Sequence, residues 1–170
     1  FLANKLHVKK FDPSRKNASI WTYYDSTAPI FSEQVLTLIA QAECGQCWFW
    51  HIPISEKRVS LGLVGPKEVV LTGDLEATLQ SKIESCSAIK KRLDGLSRGD
   101  ELSVARDFAY TATSPAGNGW VLVGDALGFI DPVYSTGVFL AMKSAQLAAE
   151  NMITSISQGD LSGKSLGRWH

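Results

Sequence analysis

The segment from residue 120 to residue 140 constrains the fold of this chain more than any other. It reads WVLVGDALGFIDPVYSTGVFL: an apolar strand ends at Gly124-Asp125, a loop of small residues follows, and a helix begins. This arrangement leaves backbone N–H groups and one carboxylate at the end of a strand, where open α/β folds bind their cofactors. The alternative that the pattern leaves open is an ordinary tight connection with an N-capping serine.

The residues of this segment suit a ligand in different ways. Gly124 lets the backbone pass close to a bound group, and the Asp125 carboxylate offers two acceptors to a pair of sugar hydroxyls. Pro132 removes one donor and stiffens the loop. The tripeptide Ser135–Gly137 places small residues at a helix start, where unpaired N–H groups favour an anion or an electron-rich ring edge.

The composition narrows the class of protein. Apolar residues make up 45% of the 170 residues and the formal net charge is zero, so a hydrophobic core can form and no field attracts nucleic acid. No apolar run approaches the roughly 20 residues of a membrane span. Three cysteines cannot all pair, which favours a reducing compartment. We therefore expect a cytoplasmic protein with no nucleic-acid partner and no membrane span.

Alternating and β-branched residues predict a β-rich first third. The connection Pro53–Lys57 suits a hairpin, whereas Ser32–Ala40 fits a strand or a helix equally well. Strands are predicted over Ser19–Tyr24, Cys47–Ile52, Arg58–Val64, Phe108–Thr113 and Trp120–Val123.

Two helices complete the pattern. An amphipathic helix is predicted over residues 75–93, with Asp74 as its N-cap and Gly95 as its C-terminal stop. A second helix is predicted over Thr136–Ser157 and ends near Gly159. An antiparallel sheet followed by a C-terminal strand–loop–helix predicts an α+β fold.

The segment WFWHIP at residues 48–53 is the second feature of interest. In a strand, alternation places Trp48, Trp50 and Ile52 on one face, and Phe49 and His51 on the other. Two tryptophans on one face form a flat apolar wall that suits a planar ligand. A strand of the hydrophobic core is the alternative.

Together these segments resemble flavin-dependent halogenases. Residues 48–53 match the W-x-W-x-I-P signature of that family, and residues 129–137 match its F-x-x-P-x-x-S-x-G motif. Gly124-Asp125 resembles the GD motif that flavoprotein monooxygenases share with geranylgeranyl-reductase-like enzymes. The resemblance covers most of residues 43–169.

The resemblance implies that FAD is the cofactor. Asp125 would bind ribityl or ribose hydroxyls, the helix start at Gly137 and Val138 would face the pyrimidine edge of the flavin, and Thr136 with Gly137 would hold a halide. The implied cofactor-binding residues are Gly124, Asp125, Gly128, Pro132, Gly137 and Val138. The implied pocket wall consists of Trp48, Trp50, Ile52 and Pro53.

The chain also departs from the family pattern. Tyr134 stands where tryptophan-type halogenases carry a glutamate, so a tryptophan substrate is not supported. The family's catalytic lysine and G-x-G-x-x-G fingerprint lie upstream and are not visible, which leaves the catalytic residues unknown. The resemblance therefore implies part of an α/β FAD-binding fold: a substrate-domain sheet over residues 1–114, and the C-terminal segment of the FAD-binding domain over residues 115–170.

The implied function is that of the C-terminal portion of an FAD-dependent oxidoreductase, which applies flavin hydroperoxide chemistry to a small organic substrate. Halide and a flavin reductase are the implied partners. Two alternatives remain open: a flavin-dependent reductase of the geranylgeranyl-reductase type without oxygen insertion, and a non-catalytic module that binds an apolar ligand.

The pair Cys44 and Cys47 forms a C-x-x-C sequence that leads into a strand. A thioredoxin-like motif lies at a helix start, and a zinc site with His51 as a third ligand lacks a clear fourth. Two thiols without a metal are the favoured interpretation, and no metal site is predicted.

Overall fold

The structure of the protein is a computed structural model that describes residues 2–30, 37–42 and 45–170. It divides into two compact units, one formed by Arg15–Asp107 and the other by Phe1–Ser14 with Phe108–His170. Residues 2–14 and 108–114 thus belong to the same unit as the C-terminal segment, whereas the sequence predicts a boundary near residue 114. Assigning one unit to the substrate and the other to FAD stays a prediction.

The elements are numbered in chain order. The helices are α1 (Leu2–Lys5), α2 (Lys67–Val70), α3 (Leu75–Ser85), α4 (Ser87–Arg92), α5 (Gly137–Ser157) and α6 (Gly163–Leu166), with a turn of 3-10 helix at Gly124–Ala126. The strands are β1 (Lys9–Phe11), β2 (Asn17–Asp25), β3 (Leu38–Gln41), β4 (Trp48–Ser55), β5 (Arg58–Pro66), β6 (Ser97–Arg98), β7 (Ser103–Arg106), β8 (Tyr110–Ala112), β9 (Ala116–Gly117), β10 (Trp120–Val121) and β11 (Gly128–Phe129). Within the described residues, no helix combines the length and apolar character that crossing a membrane requires.

The larger unit is built on an antiparallel sheet with the strand order β3-β4-β5-β2-β6, and β7 also pairs with β2. The predicted hairpin is confirmed: β4 and β5 pair, with an irregularity between Pro53 and Ser55. The two strands extend further than predicted, so that only Glu56 and Lys57 form the turn. Of the undecided segment 32–40, residues 38–40 lie in β3, and residues 32–36 lie outside the described part.

One face of this sheet packs against α3 and α4 to form the core. The alternation of β4 is confirmed, since Phe49 and His51 are buried while Trp48 and Trp50 are half-buried. Buried apolar area is the main favourable term in folding, so this layer holds the unit together. The buried core residues are Ala18, Ile20, Ala42, Cys47, Phe49, Leu61, Leu63, Val70, Leu79, Ile83, Cys86 and Ile89.

The single helix predicted over residues 75–93 is wrong, because the chain breaks at Cys86, whose backbone is extended. Ile83 and Ile89 both belong to the core, but in one continuous helix they would point about 120° apart. The break allows both to face the sheet. The predicted N-cap is confirmed, since the Asp74 carboxylate accepts hydrogen bonds from the Glu76 and Ala77 N–H groups at 2.8 and 3.3 Å.

The smaller unit contains a three-stranded antiparallel sheet, β1-β8-β11, and the β9–β10 pair. The strand predicted over Trp120–Val123 is shorter than expected, because the Leu122 N–H donates to the Pro115 carbonyl at 2.8 Å and leaves the ladder. The strand predicted over Phe108–Thr113 likewise reduces to β8. The long helix α5 is confirmed; Gly159, with φ of +65°, follows its end.

Helix α5 turns small and polar residues towards its own unit. Asn151 donates to the carbonyls of Ser165 and Leu166, each at 3.0 Å, which joins α5 to α6. The Ser155 and Ser165 hydroxyls meet at 2.9 Å in a buried hydrogen bond. Exposed apolar residues of the same helix are Val138, Phe139, Leu140, Met142, Ile153 and Ile156.

The chain passes between the units twice, at adjacent points of each unit. In the smaller unit the Asp12 N–H donates to the Ala109 carbonyl at 3.1 Å, and in the larger unit the Asp107 N–H donates to the Asn17 carbonyl at 3.0 Å. Asp107 has φ of +51°, and its carboxylate accepts from Lys67 Nζ at 2.7 Å. The two ends of Arg15–Asp107 therefore lie side by side.

His51 is a buried polar residue of strand β4. It is 1% exposed, and neither ring nitrogen has a partner among the described residues. Burial lowers the pKa of His51 below its ordinary value, and the positive charge of Arg92 lowers it further. The folded chain therefore holds a neutral imidazole here.

We expect stability to fall as the pH drops below about 6.5, because the unfolded histidine then takes up a proton that the folded one resists. The His51→Leu variant should lose this slope, which can reach about 1.4 kcal/mol per pH unit. Urea unfolding between about pH 7.5 and pH 5.5 measures it. The exposed His170 supplies the control, since His170→Asn should keep the slope. An equal slope in His51→Leu would contradict the assignment.

Candidate functional site

The 3-10 turn Gly124–Ala126, here called the GD turn, follows β10 in the smaller unit. Gly124 has φ of +54°, in the left-handed region that favours glycine. A Cβ at this position would lie 3.0 Å from the Ala141 Cβ of α5. Both the backbone conformation and the close approach to the helix therefore require glycine.

Hydrogen bonds fix the GD turn to its surroundings. The Gly124 N–H donates to Ser144 Oγ at 3.0 Å, and the Ser144 hydroxyl donates to the Ala141 carbonyl at 3.0 Å. The Leu127 N–H closes the turn on the Gly124 carbonyl at 2.9 Å, and the Leu127 carbonyl accepts from the Ala112 N–H of β8 at 2.7 Å. The turn is thus attached to α5 on one side and to the three-stranded sheet on the other.

Asp125 lies in the middle of this turn with its side chain exposed. Within the described residues no hydrogen bond or ion pair engages its carboxylate, whereas its main-chain carbonyl accepts a hydrogen bond from the Tyr110 hydroxyl. Burial raises the pKa of Tyr110, and the negative charge of Asp125 raises it further. Tyr110 therefore stays a donor at neutral pH.

The loop after the turn is ordered by its own backbone. A Cβ at Gly128 would lie 3.0 Å from the Tyr110 carbonyl oxygen, so glycine allows β11 to approach β8. The Ser135 N–H donates to the Pro132 carbonyl at 3.0 Å. Ser135 itself has φ of +51°, which is uncommon for a residue other than glycine. The loop thus reaches the helix through a backbone conformation that costs free energy.

The N-terminus of α5 has no side-chain cap. The N-cap residue is Thr136, and no side-chain hydrogen bond caps the helix there; the alternative of an N-capping serine is therefore not observed. Gly137 has no heavy atom within 4 Å of the position that a Cβ would occupy, among the described residues, and Val138 is 73% exposed. The first N–H groups of the helix lack intrahelical partners, and the surface beside them is open at Gly137 and Val138.

Some predicted site residues are thus brought into one packed substructure. Gly124 contacts α5 at Ala141 and Ser144, and Ser144 is seven residues, about 10 Å of helix, from Gly137. An anion or polar ring edge at the helix start and a hydroxyl at Asp125 would therefore be held by the same rigid element. The roles of these residues in binding stay predictions.

In the larger unit, the tryptophan cluster consists of Trp21, Trp48 and Trp50, all half-buried. The centroid of the Trp50 ring lies 6.3 Å from that of Trp21 and 6.2 Å from that of Trp48. Trp50 Nε1 donates to Ser60 Oγ at 3.1 Å. Trp21 is not part of the predicted wall; it joins the cluster because Trp21 and Trp50 both pair with Gly62 of β5.

Ile52 and Pro53, the other predicted members of the wall, are half-buried near the end of β4. The tryptophan cluster and the GD turn belong to different units, so a shared pocket stays a prediction.

Cysteine chemistry is not supported by the described residues. Cys47 and Cys86 are buried thiols, and a Cβ on Gly65 would lie 2.4 Å from the Cys47 sulfur. Cys44, the other half of the C-x-x-C pair, lies outside the described part of the chain. No group of three or more His, Cys, Asp or Glu side chains that could hold a metal occurs in the described ranges.

Comparison with known proteins identifies relatives. A family model described as "Tryptophan halogenase" matches residues 28–164. The flavin-dependent halogenase gsfI of Penicillium aethiopicum is 31% identical over 96% of this chain and 33% of its own length. The 1H-pyrrole-2-carbonyl-[peptidyl-carrier protein] chlorinase of Pseudomonas fluorescens is 30% identical over 96% of this chain and 38% of its own length.

Solved structures agree with this result. The crystal structure of CmlS, a flavin-dependent halogenase, superimposes with a TM-score of 0.79 and 28% sequence identity over 99% of this chain and 31% of that one. This superposition confirms the predicted α+β fold, which resembles the fold of a flavin-dependent halogenase. The chain spans 31% to 38% of the lengths of these relatives. They favour a halogenase over a geranylgeranyl-type reductase or a non-catalytic module.

The tryptophan cluster yields a test of its packing. In the variant Gly62→Ala, the new Cβ would lie 2.1 Å from the Trp50 ring, so the ring must move and lose its hydrogen bond to Ser60. We expect a loss of about 1–3 kcal/mol in unfolding free energy and an altered near-ultraviolet circular dichroism spectrum. Ser60→Ala, which removes only the hydrogen bond, should cost about 1 kcal/mol. An unchanged spectrum in Gly62→Ala would contradict the close packing.

Proposed function

This chain belongs to the tryptophan halogenase family, and from that premise we propose that it is a portion of an FAD-dependent oxidoreductase of the halogenase type. Activity would be a property of the whole protein, because the chain spans about a third of its relatives. The observation that carries the proposal is the exposed Asp125 carboxylate, unengaged within the described residues, on a turn bound to the uncapped helix α5.

The residues of the smaller unit fit FAD. A carboxylate without a partner suits hydroxyl donors such as those of a ribityl chain or a ribose, and an uncapped helix start suits the electron-rich edge of a flavin ring. The open space at Gly137 lets a planar group approach the backbone without meeting a Cβ.

In this proposal several residues of the smaller unit together hold FAD. Asp125 accepts hydrogen bonds from sugar hydroxyls, and the N–H groups of Gly137 and Val138 donate to the ring edge. Gly124, Gly128 and Pro132 shape the backbone around the cofactor. Bound FAD supplies the redox chemistry, and the protein supplies position and exclusion of water.

A halide site is part of the proposal. The N-terminus of α5 carries the partial positive charge of a helix dipole. The helix is 21 residues long and has no acidic side chain in its first turn. Thr136 and Gly137 would hold the halide through backbone N–H groups. A flavin reductase that delivers reduced flavin would be the protein partner.

The proposed substrate is a small organic molecule held against the tryptophan cluster. One relative is named for a pyrrole carried on a peptidyl-carrier protein, which is compatible with an aromatic substrate. Tyr134 is 84% exposed in the loop that leads to α5 and stands where tryptophan-specific enzymes would carry a glutamate. We therefore do not propose free tryptophan as the substrate.

The first test removes the carboxylate. In the full-length protein, Asp125→Ala should weaken FAD binding by about tenfold or more, because charge-assisted hydrogen bonds to the sugar hydroxyls are lost. Titration of the apoprotein with FAD, followed by flavin fluorescence, measures this affinity. Asp94→Ala removes an exposed carboxylate in the other unit and should leave the affinity unchanged. Equal affinities in both variants would refute the proposed role.

A second test fills the space at the helix start. In Gly137→Ala the new Cβ points towards the helix N-terminus and should lower the affinity for FAD or for bromide about tenfold. The same change should leave stability equal or raise it by up to about 1 kcal/mol, because alanine favours a helix. The reverse exchange Ala145→Gly, at an exposed site of α5, should lower stability without changing affinity. A Gly137→Ala variant with unaltered affinity for both ligands would count against a ligand at this helix start.

A further inference from the structure

Two side chains outside the family motifs hold the GD turn from opposite sides, namely Tyr110 on β8 and Ser144 on α5. We propose that Tyr110 and Ser144 are positioning residues, which aim the Asp125 carboxylate and thereby set the affinity for FAD. This inference rests on the proposed function, because it explains what orients the Asp125 carboxylate that is proposed to bind FAD.

Tyr110 acts on the carbonyl side of Asp125. Its hydroxyl donates to the main-chain carbonyl of Asp125, fifteen residues away in sequence. That carbonyl and the side chain both branch from the Asp125 Cα, so a fixed peptide plane restricts the direction of the Cα–Cβ bond from which the carboxylate extends. Without this donor, the carbonyl would need water as its partner, and the turn could rotate about its own backbone.

The tyrosine is itself held in place. Lys9 Nζ lies 3.8 Å from the centroid of the Tyr110 ring, and the Phe11 ring meets the same ring edge-on with centroids 6.4 Å apart. A cation over an aromatic face is attracted by the ring quadrupole. Both contacts come from β1. Lys9 and Phe11 therefore hold the Tyr110 ring in place, and the hydroxyl of this ring donates to the GD turn.

Ser144 acts on the other side of Asp125. Its hydroxyl accepts from the Gly124 N–H at 3.0 Å and donates to the Ala141 carbonyl at 3.0 Å. The bond to Ala141 sets the direction of the hydroxyl proton, so a lone pair faces Gly124. The residue before Asp125 is thereby tied to the same helix whose N-terminus is proposed to meet the flavin ring.

These contacts bracket Asp125 between two fixed points. Tyr110 holds the peptide that follows Asp125, and Ser144 holds the residue that precedes it. The carboxylate, in contrast, accepts no hydrogen bond and forms no ion pair within the described residues. A side chain that is unsupported at its tip and fixed at its base is suited to meet a ligand without losing much conformational entropy.

A double-mutant cycle in the full-length protein tests this inference. Tyr110→Phe keeps the ring and its contacts with Lys9 and Phe11, and Ser144→Ala favours the helix. Each should weaken FAD binding roughly threefold to tenfold, the range of one lost hydrogen bond. In the Asp125→Ala background, the same substitutions should change the dissociation constant less than about twofold, because they act through that carboxylate.

Matched controls separate positioning from general destabilisation. Tyr23→Phe preserves the contact of the Tyr23 ring with Arg58 and should not change FAD affinity. Ser157→Ala removes the same kind of intrahelical bond, here to the Thr154 carbonyl at 2.8 Å, and should also have no effect. The melting temperature of each apoprotein and the visible circular dichroism of bound FAD are recorded alongside, since altered flavin dichroism reports cofactor geometry rather than stability.

The possible results are distinguishable. If Asp125→Ala leaves FAD affinity unchanged, the proposed function fails and this inference falls with it. If Asp125→Ala weakens binding but both other substitutions have no effect, or add fully to it, the proposed function stands and the positioning role is overturned. Should Tyr110→Phe prevent folding, the Ser144→Ala arm gives the same decision by itself.

Discussion

The close approach of Gly124 to helix α5 is the contact on which the candidate site depends. A Cβ at residue 124 would lie only 3.0 Å from the Ala141 Cβ, and the φ of +54° with which the chain enters the 3-10 turn favours glycine. Because the Gly124 N–H also reaches Ser144, the turn moves with the helix. The positions of Asp125 and of the helix start are therefore set by one packing contact rather than by a flexible loop.

Local patterns predicted the parts of this structure that depend on local rules. Alternation over β4 was sufficient because it reflects burial of one face of the strand. The helical pattern over α5 was also sufficient, although several of its large apolar side chains are exposed. The break at Cys86 was missed, since it follows from the demand that Ile83 and Ile89 share one core. Trp21 was missed for a related reason: its place beside Trp50 follows from strand register, which no short segment encodes.

The candidate site shows the same division. Gly124, Asp125 and Gly137 stand in motifs and could be found from sequence. Tyr110 and Ser144 could not, because they lie fifteen and twenty residues from their partners and carry no motif of their own. The motif residues are those proposed to meet the ligand, whereas the residues proposed to orient them are recognised only from three-dimensional contacts.

The chain crosses between the two units twice, and these two crossings show how the units are connected. Because the ends of Arg15–Asp107 are joined through Asn17 and Asp107, and Asp12 meets Ala109 in the other unit, the larger unit has the form of a cassette inserted into the smaller one. Insertions whose ends lie close together are well tolerated. Such a cassette can diverge, or be exchanged for another, while the frame that accepts it keeps its own hydrogen bonds.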